Sequence, residues 1–245
     1  MATERKISAG SYDLNEWLFG GYEKDIITTI YGPAGSGKTN FCLLAVVSQA
    51  KKNQKVIYVD TEGGFSVDRV KQISEGDADE LLKNILLLKP ISFSEQEQAF
   101  NQLLKELKTQ KIGLIVVDGM TMLYRLELAE AKNKENSSEE IKKINSKLAK
   151  QMRILAEIAR RKDIPVIVTN QVYSEFLSES DLRAGKERGV SMVGGDILKY
   201  WSKCIIELRN EKRGKKAILK KHRSLPEKEL SFEITNKGIR KKGWI

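Results

Sequence analysis

The sequence Gly32-Pro33-Ala34-Gly35-Ser36-Gly37-Lys38-Thr39 directly follows an apolar run at residues 26–31. It matches the P-loop pattern G-x-x-x-x-G-K-[ST] at every fixed position, and a chance match in a chain of this size has odds of about one in a hundred. Its glycines let the backbone curl so that successive N–H groups point into one concavity, at the positive end of the following helix. The stretch therefore predicts a strand, a phosphate-binding loop and a helix. The alternative is a glycine-rich turn that holds no ligand.

Side chains at and beyond this loop complete a candidate site for ATP and Mg²⁺. Lys38 would place a cation on the β- and γ-phosphates, and the Thr39 hydroxyl would ligate Mg²⁺. Asp118 ends the apolar run at residues 113–118, where a carboxylate can hold the Mg²⁺ shell, although an aspartate after a strand is often only a turn residue. Glu62 stands just past another strand end, where it would accept a proton from an attacking water or remain a solvated loop acid.

Short apolar runs alternate with longer amphipathic segments through most of the chain. The runs predict parallel strands covered on both faces, at residues 26–31, 55–60, 84–89, 112–118 and 164–170. Helix starts are predicted at Ser94 and Ser137, each followed three residues later by a glutamate in the spacing of a capping box. The predicted fold class is α/β, with a mostly parallel twisted sheet flanked by helices.

The pattern changes after about residue 195 to three short strands with brief links, at residues 204–209, 216–221 and 229–235. The first link contains Gly214 and suits a hairpin, so we expect an antiparallel extension of the same sheet. Two segments that follow strand ends, residues 119–136 and 172–193, are expected to be irregular loops. We expect residues 1–245 to form a single ATPase core domain.

Composition restricts the class of protein further. The 245 residues carry a formal net charge of +10, which favours polyanions such as nucleic acid or an acidic membrane, or serves solubility alone. Cys42 and Cys204 lie in apolar stretches, as is typical of free thiols in a reducing compartment. The first ten residues are polar, unlike a signal peptide, and no apolar run approaches membrane-spanning length. We therefore expect a cytoplasmic protein with no membrane partner, whose polyanion is DNA or RNA.

Several segments together resemble the RecA recombinase superfamily, and within it the archaeal RadA/RadB branch, over nearly the whole chain. Residues 60–65, Asp-Thr-Glu-Gly-Gly-Phe, are similar to the family's second-strand motif, which implies that Glu62 is the catalytic base. Residues 168–172, Val-Thr-Asn-Gln-Val, resemble the segment whose glutamine senses the γ-phosphate and opens the second DNA-binding loop, and Gln171 is the matching residue. Arg69 matches an arginine that stacks on adenine. The resemblance implies a RecA-like core.

The sequence also departs from the RadA recombinases. It reaches the core by residue 7, so neither an N-terminal helix-hairpin-helix domain nor a Phe-x-x-Ala linker is expected, and Lys221-His222-Arg223 stands where RadA-like chains have Asp-Ser-Pro. These departures resemble the RadB group, which implies a weak ATPase that binds DNA and regulates recombination and DNA repair without strand exchange of its own. The implied partners are the RadA recombinase or a repair nuclease. A homodimer fits this reading, and a long filament does not.

Clustered cations predict where single- or double-stranded DNA would bind with little sequence preference. They lie in the C-terminal hairpin, the second loop and the first loop: Lys212, Arg213, Lys215, Lys216, Arg183, Lys186, Arg188 and Arg125. The alternative is a solvated basic hairpin without a ligand. Two functions thus remain open: a DNA-binding, ATP-dependent regulator of recombination, and a KaiC-like signalling ATPase that binds protein partners and no nucleic acid.

Overall fold

Strands and helices alternate along the chain in the computed structural model, which describes residues 5–76, 78–174 and 190–243. The strands are β1 (Lys6–Ile7), β2 (Tyr22–Glu23), β3 (Ile27–Tyr31), β4 (Lys55–Asp60), β5 (Ile85–Leu88), β6 (Ile112–Asp118), β7 (Val166–Asn170), β8 (Val172–Ser174), β9 (Val190–Met192), β10 (Cys204–Glu211), β11 (Gly214–Lys221), β12 (Lys228–Thr235) and β13 (Gly238–Lys241). The helices are α1 (Tyr12–Trp17), α2 (Lys38–Ala50), α3 (Val67–Ser74), α4 (Ala78–Leu82), α5 (Phe93–Thr109), α6 (Met122–Ala131), α7 (Ser137–Lys162) and α8 (Gly195–Trp201).

Nine of the strands form one sheet in the order β13-β12-β11-β10-β3-β7-β6-β4-β5. The neighbours from β10 to β5 are parallel, and those from β13 to β10 are antiparallel. The predicted fold class, a mostly parallel sheet flanked by helices with an antiparallel C-terminal extension, is confirmed. The five predicted parallel strands lie within two residues of their observed bounds. Because these strands share one direction, the loops after β3, β4, β6 and β7 meet at one edge, called here the carboxyl edge; the opposite edge is the amino edge.

Each face of the sheet is covered by its own layer of helices. One apolar core lies between the sheet and α1–α4, and the second lies between the sheet and α5–α8. Successive residues of β4 alternate between them, since Tyr58 packs in the first core and Ile57 and Val59 in the second. A strand buried on both sides explains why its sequence is almost continuously apolar.

The antiparallel extension is anchored to the helix that follows the P-loop. Phe232 of β12 is fully buried, and its ring meets Phe41 of α2 edge-on with 5.4 Å between ring centroids. Gly214, with φ of 114°, begins β11 after a two-residue hairpin turn. The last strand, β13, was not predicted from the sequence; its buried Ile239 pairs with Ile234 of β12. The extension is therefore continuous with the core of the P-loop layer.

Of the two predicted helix starts, the one at Ser94 is wrong in position. The capping box of α5 lies two residues earlier than predicted: Ser92 Oγ accepts from Glu95 N at 3.1 Å, and Glu95 Oε2 accepts from Ile91 N at 3.0 Å. Ser94 is inside the helix, because burial of Phe93 against Tyr124 fixes the first turn. The start predicted at Ser137 matches the first residue of α7, but Asn136 holds the cap position there and its side chain makes no capping hydrogen bond.

The predicted irregular loop at residues 119–136 is also wrong in part, since most of it forms α6. Leu123 and Tyr124 are buried against the second core and hold this helix on the sheet, a tertiary effect that weak local periodicity did not predict. The longest helix, α7, has 26 residues and carries acidic residues in its first turn and basic residues in its last. Among the helices in the described ranges, none is both long enough and apolar enough to cross a bilayer.

Replacing Phe232 by alanine tests whether the extension shares the core of the P-loop layer. We expect the free energy of unfolding to fall by about 3–5 kcal/mol, because a buried aromatic side chain is removed and a cavity is left against Phe41. Urea denaturation followed by circular dichroism measures the change. Phe19→Ala is the matched control, since Phe19 is 76% exposed. A loss below about 1 kcal/mol for Phe232→Ala would contradict the shared core.

Candidate nucleotide-binding site

The predicted P-loop connects β3 to α2 at the carboxyl edge of the sheet. Gly35 and Gly37 have φ of 69° and 105°, in the region that favours glycine. A Cβ on Gly32 would lie 2.4 Å from the Leu208 carbonyl oxygen, so this position tolerates no side chain. Ser36 Oγ is buried and has no hydrogen-bond partner among the described residues. A curled backbone with an unpaired polar atom inside it fits an oxygen-rich ligand such as a phosphate chain.

Lys38 is the first residue of α2, and its side chain reaches back across this loop. Its Nζ donates hydrogen bonds to the carbonyl oxygens of Gly32 at 2.9 Å and Pro33 at 3.0 Å, and to Gln171 Oε1 at 3.3 Å. Burial lowers the pKa of Lys38, while the nearby carboxylates of Glu62 and Asp118 act in the opposite direction. The ammonium is thus kept inside the loop by neutral oxygens, which phosphate oxygens can replace.

Asp118 is the most deeply buried carboxylate at this edge. It is 1% exposed, and three hydroxyl groups donate to it: Thr39 Oγ1 to Oδ2 at 2.8 Å, Tyr58 OH to Oδ2 at 2.7 Å, and Thr169 Oγ1 to Oδ1 at 2.5 Å. Burial, and then the charge of Asp118, raise the pKa of Tyr58 well above its usual value. Tyr58 and Thr169 were not predicted from the sequence. They could have been found only by placing β4 and β7 on either side of β6.

Thr39 and Asp118 fit the role predicted for them as ligands of a nucleotide-bound Mg²⁺. Their oxygens lie 2.8 Å apart beside Gly64, where a Cβ would come within 3.1 Å of Thr39 Oγ1 and 3.6 Å of Asp118 Oδ2. Among the residues that the structure describes, no three His, Cys, Asp or Glu side chains cluster to hold a metal on their own. One carboxylate and one hydroxyl suit Mg²⁺, which takes its remaining ligands from phosphates and water.

Gln171 connects the predicted catalytic base to the P-loop lysine. Its Nε2 donates to Glu62 Oε2 at 2.9 Å while its Oε1 accepts from Lys38. Loss of water around the Glu62 carboxylate raises its pKa, as does Asp118, whereas the hydrogen bond from Gln171 and the charge of Lys38 lower it. Glu62 reaches this position because Asp60 accepts hydrogen bonds from the N–H groups of residues 64 and 65, which fold the intervening loop.

These side chains surround a cleft of about 240 Å³ at the carboxyl edge. The residues that line it are Ala34, Gly35, Gly37, Lys38, Thr39, Asn40, Glu62, Gln171 and Ile234. Arg69, predicted to stack on adenine, lies at its rim: Nε donates to Asn40 Oδ1 at 2.8 Å, and the guanidinium also donates to the carbonyl of Thr235 at 2.8 Å. The structure thus brings together every residue predicted to bind ATP or Mg²⁺, and the role of each stays a prediction.

The hairpin between β10 and β11 contacts the P-loop, which the sequence did not indicate. Lys215 Nζ donates to the carbonyl oxygen of Gly35 at 2.5 Å, and Asn210 Nδ2 donates to that of Ala34 at 3.2 Å. Both contacts are made by side chains of a hairpin that was predicted to bind DNA. Its tip therefore lies beside the candidate nucleotide cleft.

The other residues predicted to contact DNA fall into three groups. Lys216 is paired with Glu211 and Glu229, each at 3.0 Å. The side chains of Lys212, Arg213 and Arg125 are exposed, the first two at the hairpin tip and the third on α6. Those of the second loop lie outside the described residues: Arg183, Lys186 and Arg188.

Comparison with known proteins gives one consistent result. The Rad51 family model matches residues 3–242. The DNA repair and recombination protein RadB of Methanococcus maripaludis strain C5 is 42% identical over 227 residues, which cover 92% of this chain and 96% of that protein. RadB of Methanobrevibacter smithii is 41% identical over 233 residues, covering 92% of each chain. RadB of Methanocaldococcus jannaschii is 39% identical over 226 residues, covering 92% of this chain and 98% of that protein.

Gln171→Met tests the contact between Gln171 and Glu62. Methionine keeps the length of the side chain but cannot donate, so we expect the pKa of Glu62 to rise. A ¹³C NMR titration of the glutamate carboxyl carbons measures the change. Gln110→Met is the control, because Gln110 donates instead to Glu106 at 2.7 Å on an exposed surface. An unchanged or lower midpoint for Glu62 in Gln171→Met would show that the hydrogen bond does not favour its ionised form.

Proposed function

The chain belongs to the Rad51 family, and from this premise we propose that it is an ATP-dependent recombinase paralogue that binds DNA and regulates homologous recombination and DNA repair. In this proposal residues 1–245 act as one ATPase core, ATP hydrolysis to ADP and phosphate is slow, and the protein performs no strand exchange itself. The observation that carries the proposal is the hydrogen-bonded series Lys38–Gln171–Glu62 beside the Thr39–Asp118 pair. It is supported by the identity to RadB proteins over 92% of the chain.

Binding of ATP is assigned to the P-loop and its neighbours. The backbone N–H groups of residues 32–39 and the Lys38 ammonium would bind the phosphate oxygens, after Lys38 leaves its present carbonyl partners. Thr39 and Asp118 would hold Mg²⁺, which when bound neutralises charge on the phosphates. Arg69 and Asn40 border the cleft, and Arg69 is the residue proposed to lie against adenine.

Hydrolysis is assigned to Glu62. Its carboxylate would take the proton of the attacking water as the oxygen bonds to the γ-phosphorus and the bond to the ADP oxygen breaks. A raised pKa makes this carboxylate a stronger base, provided that the pH keeps it ionised. The hydrogen bond from Gln171 engages one of its oxygens at 2.9 Å, which supports a slow reaction until Gln171 moves. Gln171 also directly precedes β8 and the predicted second DNA-binding loop, so its position would couple nucleotide to DNA.

DNA binding is assigned to the exposed cations at the hairpin tip and on α6, together with those of the second loop. Lysine and arginine side chains that neutralise phosphates bind DNA with little sequence preference. The proposed partners are DNA and, as a protein partner, the RadA recombinase or a repair nuclease. A homodimer, and not a long filament, is the proposed assembly.

One observation favours the second candidate function, a KaiC-like ATPase that binds proteins and no DNA. Two cations of the hairpin are already engaged within the chain, Lys215 by the P-loop and Lys216 by two glutamates. Salt-sensitive binding of an oligonucleotide supports the DNA-binding proposal, and absence of binding even at low salt favours the alternative.

Turnover and strand-exchange assays, with and without single-stranded DNA, test the regulatory proposal. We expect slow Mg²⁺-dependent hydrolysis and no strand exchange. Lys38→Ala should weaken ATP binding at least tenfold, because a hydrogen bond to a charged group contributes about 1.5–3 kcal/mol, and it should keep most of the DNA affinity. Lys71→Ala, an exposed lysine of α3, is the matched control. Strong stimulation by DNA accompanied by strand exchange would contradict the proposal and place the protein among the active recombinases.

A further inference from the structure

A second and larger cleft, of about 690 Å³, lies at the amino edge of the sheet, on the side opposite the P-loop. It is bounded by the first residue of β6, by the ends of α5 and α7, and by residues of β1. Six lysines line it: Lys6, Lys24, Lys52, Lys108, Lys111 and Lys162. Asp163 is its one acidic lining residue among those described. We name it the lysine cleft.

Most of the positive charge in the lysine cleft is unpaired. Lys24 lies 3.9 Å from Asp163, and Lys6 donates to the carbonyl oxygens of residues 18 and 19. The side chains of the other four lysines are exposed and make no ion pair or hydrogen bond with the residues that the structure describes. The hairpin differs, since Lys216 there has two glutamate partners. Unpaired like charges around one concavity attract anions.

A buried amide gives an independent indication that the lysine cleft holds a ligand. Gln49 lines the cleft and is 3% exposed, and its Nε2 has no hydrogen-bond partner among the described residues. A buried donor of this kind calls for an acceptor. Ammonium and amide groups together suit a ligand rich in anionic oxygen, and the volume of the cleft exceeds by far what a single phosphate group fills.

An apolar groove of about 230 Å³ adjoins the lysine cleft along the same edge. Consecutive residues line the two, Lys24 the cleft and Asp25 the groove. The aromatic pair Tyr200 and Trp201 forms one wall, with ring centroids 5.2 Å apart, and Tyr200 is 71% exposed. Arg160 and Lys203 add positive charge beside the rings. We name it the aromatic groove.

The acidic residues of the aromatic groove are neutralised by other parts of the chain. Asp25 pairs with Arg223 at 2.8 Å, and Glu157 lies 3.8 Å from Arg153 and 3.9 Å from Arg161. Neither carboxylate therefore leaves an unpaired negative charge beside the lysines.

We propose that the amino edge binds single-stranded nucleic acid, with the phosphates in the lysine cleft and a base against Tyr200 in the aromatic groove. Cations that track a backbone beside an exposed aromatic ring are the combination by which proteins bind single strands without sequence preference. The surface lies at the opposite edge from the P-loop and the hairpin tip. It shares with the proposed function only the class of ligand.

Charge-removing variants test the lysine cleft. The cleft variant is Lys108→Gln/Lys111→Gln/Lys162→Gln, and the control is Lys105→Gln/Lys142→Gln/Lys150→Gln, whose lysines are exposed on α5 and α7 but do not line the cleft. Anisotropy of a fluorescein-labelled oligothymidylate gives the affinity at several KCl concentrations. Each phosphate contact with a single strand contributes about 0.7 to the slope of log K against log [KCl], so the cleft variant should lose about 2. The control should lose less than about 0.5.

Tyr200→Ala tests the aromatic groove, and we expect affinity for the oligonucleotide to fall by on the order of tenfold, as for loss of one stacked base. Tyr12→Ala, a similarly exposed aromatic that lines neither the cleft nor the groove, should leave it unchanged. Equal salt slopes for the cleft variant and its control, or unchanged affinity of Tyr200→Ala, would overturn the proposal. So would inorganic tripolyphosphate binding that depends on the cleft lysines while oligonucleotide binding does not. Wild-type protein that binds no oligonucleotide would overturn DNA binding in the proposed function as well.

Discussion

The buried carboxylate of Asp118 determines how the carboxyl edge is built. Hydroxyl groups from the P-loop helix, from β4 and from β7 all donate to it, so three separate segments converge on one side chain. A buried carboxylate is stable only when its oxygens are paired, and here neutral donors rather than a cation pair them. This arrangement sets the position of Thr39 and leaves the cleft free for the positive charges that a triphosphate requires, those of Lys38 and of a bound Mg²⁺.

The hairpin between β10 and β11 joins the antiparallel extension to this site. Lys215 and Asn210 bind carbonyl oxygens of the P-loop, and Phe232 locks the extension onto α2. A ligand that reshaped the P-loop would therefore act on the hairpin directly, through these two hydrogen bonds. The two basic regions of the chain also differ in kind. The hairpin cations are partly engaged by glutamates and by the P-loop, whereas four lysines at the amino edge have no partner among the described residues.

The parallel strands and the P-loop could be predicted because each has a short local sequence pattern. For the strands the pattern is a continuous apolar run, and for the loop it is a set of fixed glycines. The resemblance to the RadA/RadB branch is confirmed by the family match and by the identity to RadB proteins. Tyr58 and Thr169 were not predicted, because their importance depends on which strands neighbour β6. The contact of Lys215 with Gly35, between residues 180 positions apart, depends on tertiary structure in the same way. The helix α6 was not predicted because packing, not local periodicity, holds it.

The proposed function depends on binding of a magnesium–nucleotide complex in the cleft at the carboxyl edge. Calorimetric titration of the protein with a non-hydrolysable ATP analogue, with and without Mg²⁺, measures this directly, and Thr39→Val removes the predicted metal ligand while keeping the side-chain shape. We expect an affinity for the analogue that strengthens at least tenfold with Mg²⁺ in the wild type and gains little from Mg²⁺ in the variant. Equal affinity with and without Mg²⁺ in the wild type, or no binding at all, would contradict it.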